Sequence, residues 1–392
     1  MFHHTNKKIA FYTNIKNKDV TLYNGSEYDE ITEQEKINIL KKPYSCDFIL
    51  VKYDGKNIEK DYKDYIDEIE RIKILTNDKI NMYQTGTYSN TAICLFNSMN
   101  KIKSIAVNKY EIPFLENGGG VRYAKPYVGK AYKYDICSCY PAIMKSKTFK
   151  VPINKGTLTS ISTETINKKR YLQYGIYNVS ITCDDRLKFT TQSSNMYSHI
   201  EVNYAKQLNL TIESIGEHLI FNSDDLVTGY SIFNEFVTYM FDMKKKDKVF
   251  KKILNTLWGG LTAKSGGIRT INMLYSEIDT RQNQILKMSP INDNNNMCEV
   301  TIKYPVLFYK SNYARLNAFI LGTARVNMHK TFNKIGYDTI LFSHTDSIIT
   351  NKRIQYDMLK FGDDLGMWKF EGVSQNCKVV NMNKYTFPIL KT

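Results

Sequence analysis

Near its C-terminal end the chain carries two apolar runs, residues 339–342 and 348–349, on either side of the polar segment Ser343-His344-Thr345-Asp346. Apolar runs separated by a few polar residues are typical of a β-hairpin. The two strands of a hairpin pair antiparallel, so this segment predicts part of an antiparallel sheet. It also predicts that one carboxylate, Asp346, lies at the turn between the strands.

A second carboxylate, Asp135, lies at the end of another predicted strand. The aromatic and apolar run that begins at Tyr132 is typical of a strand, and Pro141 suits the first turn of a helix. Taken alone, an aspartate in this place is usually a helix cap or a turn residue. If Asp135 meets Asp346 across adjacent strands, however, the two carboxylates repel each other unless cations lie between them. Two-metal phosphoryl transfer requires such a pair.

The clearest helical pattern covers residues 231–262 and contains a lysine-rich tip. Steps of 4, 3, 4 and 3 residues predict that five side chains share one helical face: Lys244, Lys248, Lys251, Asn255 and Trp258. This face is suited to binding a triphosphate, although a solvated lysine face is the commoner meaning of such a pattern. The pair Gly259-Gly260 favours the first interpretation, because glycines at a helix end permit close approach of a ligand or template.

The charge balance favours a polyanionic partner. The sequence has 54 Lys and Arg against 39 Asp and Glu, a formal net charge of +15, and clustered cations gain affinity for nucleic acid by releasing counterions. The alternative is coding bias, since Lys, Asn, Ile and Tyr belong to AT-rich codons. Seven cysteines without a CxxC pair and six histidines argue against a disulfide framework or a zinc site. No apolar run of about 18 residues and no leader pattern are found, so we expect an intracellular chain without a membrane partner.

Glycines and changes in pattern predict the domain organisation. The triplet Gly118-Gly119-Gly120 is the strongest candidate boundary, either as a flexible joint or as a segment that approaches a phosphate. We expect an N-terminal region at 1–115, with one or two amphipathic helices between 57 and 79, followed by segments at 116–230, 231–262 and 263–392. Strand and helix patterns at 172–183 and 198–220, with a helix pattern at 313–332, indicate an α+β fold.

Three segments together resemble the polymerase motifs of family B DNA polymerases. DICSCYPAIM is similar to the first motif, D-x-x-S-L-Y-P; KKILNTLWGG contains the second, K-x-x-x-N-S-x-Y-G; and SHTDSII resembles the third, D-T-D-S. Their order and spacing fit the family, and the resemblance covers roughly Gly118 to the C-terminal end. Within the family it is closest to the protein-primed polymerases of phages, linear plasmids and viruses.

The resemblance implies a right-hand polymerase, with a palm carrying an antiparallel sheet in 116–230 and 263–392, short helical fingers in 231–262 and a small N-terminal region. It implies that Asp135, Asp346 and the Ile136 carbonyl bind two Mg²⁺ ions, for which Mn²⁺ is a substitute. Tyr140 matches the residue that excludes a 2′-hydroxyl from the sugar. Further residues are implied to bind nucleotide (Lys244, Lys251, Asn255, Trp258) or DNA (Gly259, Lys384, Tyr385).

Departures from the family pattern change these expectations. His344 replaces the first Asp of D-T-D-S, and Trp258 replaces the Tyr of the second motif. The N-terminal region shows no convincing D-x-E on a strand, and the acidic segment 67–70 lies in a helical pattern that we interpret as surface charge. We therefore expect a minimal polymerase without a proofreading exonuclease and without most of the thumb. We expect its processivity to be weak unless a clamp or thumb-supplying partner chain holds the duplex.

The expected function is template-directed DNA synthesis, in which a primer 3′-hydroxyl attacks the α-phosphate of a dNTP. Two alternatives stay open. The first is a catalytically lapsed polymerase that serves as a DNA-binding replisome scaffold. The second is a specialised enzyme that makes untemplated additions or links first nucleotides to a terminal protein. The expected partners are primer–template DNA, dNTP and, for protein priming, a terminal protein.

Overall fold

A computed structural model describes residues 8–12, 20–23, 28–29, 48–52, 58–115, 118–274, 284–290, 297–304, 306 and 308–389. The chain forms two compact units. The first spans Met1–Met99 and Tyr239–Phe308, and the second spans Asn100–Thr238 and Tyr309–Thr392. Each unit is therefore assembled from two separate stretches of chain. Within the described residues, no helix has the length and apolar character needed to cross a membrane.

Both helices and strands occur along the described residues. The α-helices are α1 (Ile58–Leu75), α2 (Met82–Thr85), α3 (Tyr88–Met99), α4 (Ile112–Leu115), α5 (Cys139–Met144), α6 (Thr163–Lys168), α7 (His199–Gln207), α8 (Gly229–Lys246), α9 (Phe250–Leu261) and α10 (Leu316–Ile335). Short 3₁₀ turns cover Lys109–Glu111, Ser223–Asp225 and Tyr337–Thr339.

The strands are β1 (Lys8–Tyr12), β2 (Val20–Tyr23), β3 (Tyr28–Asp29), β4 (Phe48–Lys52), β5 (Val121–Ala124), β6 (Tyr127–Ile136), β7 (Lys150–Pro152), β8 (Thr157–Ser160), β9 (Gly175–Thr182), β10 (Met196–Ser198), β11 (Thr211–Ser214), β12 (Glu217–Ile220), β13 (Leu226–Thr228), β14 (Gly267–Leu274), β15 (Gln284–Pro290), β16 (Met297–Tyr304), β17 (Ile340–Thr345), β18 (Ser347–Thr350), β19 (Trp368–Asn381) and β20 (Lys384–Thr386). This mixture of helices and sheets confirms the predicted mixed α and β composition of the fold.

The first unit contains two small sheets and a helical layer. One sheet has the order β3-β2-β1-β4, in which β1 and β4 are parallel, and the other has the order β14-β16-β15. Helix α9 packs against α3. Its buried stripe consists of Ile253, Leu254, Leu257 and Leu261, which recur at helical spacing. Exposed polar residues of α9, among them Lys251 and Asn255, lie outside this stripe.

The second unit is organised around a six-stranded antiparallel sheet with the order β20-β19-β6-β18-β17-β5. Side chains alternate between its two faces, because successive residues of a strand point in opposite directions. Tyr134, Ile348 and Trp368 join a cluster that includes Met328, Phe332 and Ile335 of α10. Ala131, Ile349 and Cys377 join a separate cluster. We call the face that carries Ala131, Lys133 and Asp135 the front face.

A second sheet in this unit packs against helices and forms another hydrophobic core with them. Strands β10, β9, β12 and β8 are neighbours in that order, and β11 also pairs with β9. Tyr177 and Val179 of β9 pack with Val202 and Ala205 of α7. Val326 of α10 joins the same cluster. Helix α10 therefore contributes to the cores of both large sheets and fixes one against the other.

Candidate active site

Asp135 lies on the central strand β6, one residue before the strand ends. It is directly opposite Ser347 of β18 on one side and Lys369 of β19 on the other. The chain then turns at Cys137 and Ser138 and enters α5. Because hydrogen-bonded strands flank β6 on both sides, the backbone of Asp135 is held on both edges.

Asp346 occupies the turn of the β17–β18 hairpin, where the sequence predicted it. Its backbone carbonyl accepts a hydrogen bond of 3.0 Å from the amide of Ile136, which is the residue after Asp135. The preceding residue, Thr345, has a φ of 60°, a left-handed conformation that non-glycine residues rarely adopt. The turn is thus built on strained backbone that the surrounding structure must hold.

The glycine triplet supplies part of that support. A Cβ atom on Gly120 would lie 2.9 Å from the Cα of Thr345, so only glycine permits this approach. The buried guanidinium of Arg325 donates to the carbonyl of Gly119 at 2.8 Å and pairs with Glu201, which is also buried. Gly120 is therefore a packed part of the hairpin turn, which differs from the flexible joint considered from the sequence.

Asp135 and Asp346 both face the start of α5. Burial raises the pKa of the Cys139 thiol, and the charges of Asp346 and Asp135 raise it further. Burial, together with the charges of Cys139 and Asp346, likewise raises the pKa of Tyr140. Since both carboxylates act on one thiol, the structure brings together two acids that are more than two hundred residues apart in the sequence.

Helix α5 begins at Cys139, two residues before the expected start at Pro141, which instead lies within the first turn. Ser138 precedes it with φ 51° and ψ 59°. The amide of Cys137 donates to the carbonyl of Met367, and the amide of Gly366 donates to the carbonyl of Cys137, both at 2.8 Å. These bonds fix the turn that follows Asp135 and so orient Tyr140 relative to the two acids.

The donor set suits a hard divalent cation. Mg²⁺ prefers oxygen ligands and is usually held by one or two carboxylates together with substrate phosphates and water. Asp135 and Asp346, with the nearby backbone carbonyl of Ile136, offer this chemistry. In the described ranges no cluster of three or more His, Cys, Asp or Glu side chains could hold a metal by itself. Two carboxylates match the one or two with which a protein usually holds Mg²⁺ beside substrate phosphates and water.

The lysine-rich end of α8 and the whole of α9 lie in the first unit. Lys251 and Asn255 are exposed on α9, and Trp258 is half-buried on the same helix. A Cβ atom on Gly259 would meet nothing within 4 Å, whereas Gly260 packs against Ile93 and Ser89 of α3. Nothing in the described part of the chain therefore requires glycine at 259 for packing.

The prediction that five residues share one helical face is wrong for two of them. Lys244 lies on α8, which ends at Lys246, and Lys248 lies in the break before α9 begins. The cause is Asp247, whose side chain accepts a hydrogen bond from the amide of Val249 and pairs with Arg71 of α1. An aspartate that bonds its neighbouring backbone competes with the helix and interrupts it. The ammonium of Lys244 lies 5.1 Å from the ring centroid of Phe241.

Lys384 and Tyr385 lie on β20, the edge strand of the six-stranded sheet, and both are exposed. The ring of Tyr385 packs on Phe342 of β17 with 4.4 Å between centroids. Phe342 belongs to the front-face cluster. Tyr385 therefore lies on the front face, which also carries Asp135.

Sequence reasoning missed two ion pairs on the front face. Lys133 pairs with Glu371 at 3.0 Å, and Lys369 pairs with Asp363 at 2.5 Å. Partial burial lowers the pKa of Lys133, but the hydrogen bond and charge of Glu371, with smaller effects of Tyr385 and Asp135, raise it above its ordinary value. No signal in the sequence indicated these pairs, because they depend on the register of β19, which contains a bulge between Phe370 and Gly372.

No family model and no curated protein sequence matches the chain. Among solved structures it is similar to phi29 DNA polymerase complexed with single-stranded DNA, with a TM-score of 0.56 and 16% identity over 85% of this chain and 60% of that one. The complex of phi29 DNA polymerase with primer–template DNA and incoming nucleotide substrates gives 0.55 and 16% over 81% and 57%. The chain thus shares the fold of that polymerase and spans less than two thirds of its length.

A third structure in the comparison is a family B DNA polymerase from the hyperthermophilic archaeon Pyrobaculum calidifontis. Its TM-score of 0.38 and 9% identity, over 84% of this chain and 35% of that one, are too low to support an argument. The similarity to phi29 DNA polymerase, with a TM-score above 0.5, does bear on the fold.

Proposed function

We propose that this chain is a DNA-directed DNA polymerase of the family B type, which adds dNTPs to a primer 3′-hydroxyl. The observation that carries the proposal is the pairing of Asp135 and Asp346 on neighbouring strands, in a fold similar to that of phi29 DNA polymerase. The motif resemblance implies the reaction, and the structural similarity supports the fold that the motifs imply.

In this proposal Asp135, Asp346 and the carbonyl of Ile136 hold two Mg²⁺ ions. When bound, the ions activate the 3′-hydroxyl and neutralise charge on the pyrophosphate leaving group. The chain's own contribution is to fix the two carboxylates. The hydrogen bond from Ile136 to Asp346 sets their separation, and the packing of Gly120 holds the turn.

The other predicted residues have binding roles in this proposal. Tyr140 packs against the deoxyribose, Lys251 and Lys244 bind the triphosphate, and Asn255 and Trp258 lie near the nascent base pair. Gly259 allows the template to approach α9, while Lys384 and Tyr385 bind the primer end. The six-stranded sheet is then the palm, and α8 and α9 are the fingers.

The decisive experiment is primer extension by Asp135→Asn and Asp346→Asn variants. Each change removes one negative charge from the pair with little change in side-chain volume. We expect each variant to lose extension while its affinity for primer–template DNA, measured by fluorescence anisotropy, stays nearly the same. Asp224→Asn is the matched control, because Asp224 is an exposed aspartate on a 3₁₀ turn of the same unit. Extension that persists in either active-site variant would contradict the proposal.

A second candidate function is a catalytically lapsed polymerase that serves as a DNA-binding scaffold. The observation that favours it is His344, an exposed residue of the hairpin where the third motif has its first Asp. Wild-type protein that binds primed DNA but incorporates no dNTP with Mg²⁺ or Mn²⁺ would establish this function. Incorporation without a template strand, or onto a terminal protein, would identify a specialised form of the same active site.

A further inference from the structure

The β19 residue that opposes Asp135 in the sheet is a lysine, Lys369. It is directly opposite Asp135 in the β19–β6 register, and opposed residues of antiparallel strands point to the same face. Their Cβ atoms are then about 4.5–5.5 Å apart. Ser347 flanks Asp135 on its other side, so Ser347, Asp135 and Lys369 form one row across the front face.

Asp363 holds the ammonium of Lys369. The Nζ atom donates to Oδ1 of Asp363 at 2.5 Å, and the two side chains are 57% and 82% exposed. Hydrogen bonds connect the segment from Asp363 to Met367 to the turn after Asp135. The Cys137 thiol donates to the carbonyl of Asp363, and the backbone of Cys137 forms hydrogen bonds with the backbone of Gly366 and Met367. The position of the pair relative to Asp135 is therefore fixed twice. Strand β19, which carries Lys369, is hydrogen-bonded to β6, and the segment that begins at Asp363 is hydrogen-bonded to Cys137.

The energetics favour exchange of the partner of Lys369. The hydrogen bond and charge of Asp363 raise the pKa of Lys369, so the ammonium is retained across the physiological range. An exposed ion pair contributes little to stability, because water screens its charges. A phosphate of a nucleic acid can replace Asp363 at small cost and gains the entropy of released counterions.

We infer that Lys369 and Asp363 form a phosphate-binding pair, in which Lys369 binds a backbone phosphate of DNA beside Asp135 and Asp363 holds the cation in place until DNA arrives. The inference rests on the proposed function, since it takes DNA to be the ligand of the front face. It adds a contact that lies outside the three motifs.

The test is the salt dependence of primer–template binding, measured by fluorescence anisotropy without metal ions or dNTP. For Lys369→Ala we expect several-fold weaker binding, and a slope of log K against log salt that is smaller in magnitude by about 1, as for the loss of one phosphate contact. Lys369→Arg should restore most of the affinity. Lys168→Ala is the matched control, because Lys168 is also exposed and also pairs with an acid, Glu164, at 2.6 Å.

A double-mutant cycle separates this contact from a general effect of charge. Asp363→Asn removes the competing carboxylate, and we expect it to tighten DNA binding. In the Lys369→Ala background the same change should have much less effect. If Asp363→Asn tightens binding equally in both backgrounds, or if Lys369→Ala binds DNA like the wild type, the inference is wrong. Circular dichroism and thermal unfolding of each variant check that the fold is intact.

Two further results assign the phosphate and separate this inference from the proposed function. If Lys369→Ala leaves DNA binding unchanged but raises the KM for dNTP, the phosphate belongs to the nucleotide and the DNA contact is refuted. If wild-type protein incorporates no nucleotide but Lys369→Ala still weakens DNA binding with the reduced salt slope, the polymerase proposal fails and the phosphate contact stands.

Discussion

Tyr140 illustrates how one residue can be tested for selectivity alone. It is half-buried in the first turn of α5, where burial and the neighbouring Cys139 and Asp346 raise its pKa. The phenol therefore stays neutral, and the ring acts through its bulk. We expect Tyr140→Ala to increase ribonucleotide incorporation relative to deoxynucleotide incorporation, whereas Tyr140→Phe keeps the discrimination. Competition between rNTP and dNTP in single-nucleotide extension measures this sugar discrimination. Unchanged selectivity in Tyr140→Ala would refute the assignment of Tyr140 as the residue that excludes the 2′-hydroxyl.

The same scale shows what the sequence could and could not predict about the site. The positions of Asp135 at a strand end and of Asp346 at a hairpin turn were predictable, because apolar strand patterns end beside each of them. The positions of Lys369 and Asp363 near Asp135 were not predictable, because they depend on which residues of β19 and β6 are opposed. Gly120 was noticed as a glycine, but its contact with Thr345 belongs to tertiary packing. Local pattern specifies a residue's element, and register specifies its neighbours.

At the scale of the element, Gly259 and Gly260 of α9 form a natural comparison. A Cβ on Gly260 would lie 2.7 Å from Cδ1 of Ile93 and 2.9 Å from Oγ of Ser89, whereas one on Gly259 would enter open space. Alanine in an exposed helix position is about 1 kcal/mol more favourable than glycine. We expect Gly259→Ala to raise the free energy of unfolding by about that amount, and Gly260→Ala to lose the gain to crowding. Urea denaturation measures both.

The activity of the same two variants tests the role of α9. If a template approaches Gly259, the added methyl group should reduce primer extension in Gly259→Ala although the protein is more stable. A Gly259→Ala variant with full extension activity would show that no ligand approaches this position closely. Gly260→Ala controls for stability, since its methyl group faces α3.

The interruption between α8 and α9 shows why an element can be predicted while its limits are not. The helical pattern of residues 231–262 was correct in type, and Lys251, Asn255 and Trp258 do share α9. The periodicity of the lysines continued across Asp247, however, and what identifies that residue as the interruption is its hydrogen bond with the Val249 amide and its pair with Arg71. A partner in a distant helix is not visible in a local pattern.

At the scale of the whole molecule, stability should depend on pH through two histidines, the half-buried His199 and the buried His329. Burial lowers the pKa of His199 and of His329 from 6.5 to about 4. Between these values the unfolded chain binds protons that the folded protein excludes, so the free energy of unfolding falls as pH drops from 6.5 towards 4. Above pH 6.5 this contribution is complete. Each group changes stability by at most about 1.4 kcal/mol per pH unit.

Urea unfolding of His329→Gln across this pH range measures the effect. We expect the variant to lose stability at neutral pH, because His329 bonds Leu187 and Thr190, but to show a flatter decline on acidification. His344→Gln is the control, since His344 is exposed. An equally steep decline in His329→Gln and the wild type would exclude His329 as a source of the pH dependence.

The mixture of helices and strands was predictable from the sequence. Which stretches of chain combine to form each compact unit was less predictable. Alternating apolar patterns indicated strands and longer periodic patterns indicated helices, which together gave the mixed fold. That each compact unit joins two distant stretches of chain depends on contacts such as those between α3 and α9, and no local signal encodes them. The domain limits drawn from the sequence stay a prediction.

The hydrogen bond between Ile136 and Asp346 has a consequence for how the protein is made. A nascent chain leaving the ribosome carries Asp135 long before Asp346, because more than two hundred residues separate the two acids. A message cut short between the codons of the two acids would yield a product with one half of the pair. Whatever chemistry the pair performs thus begins only after the β17–β18 hairpin has been translated.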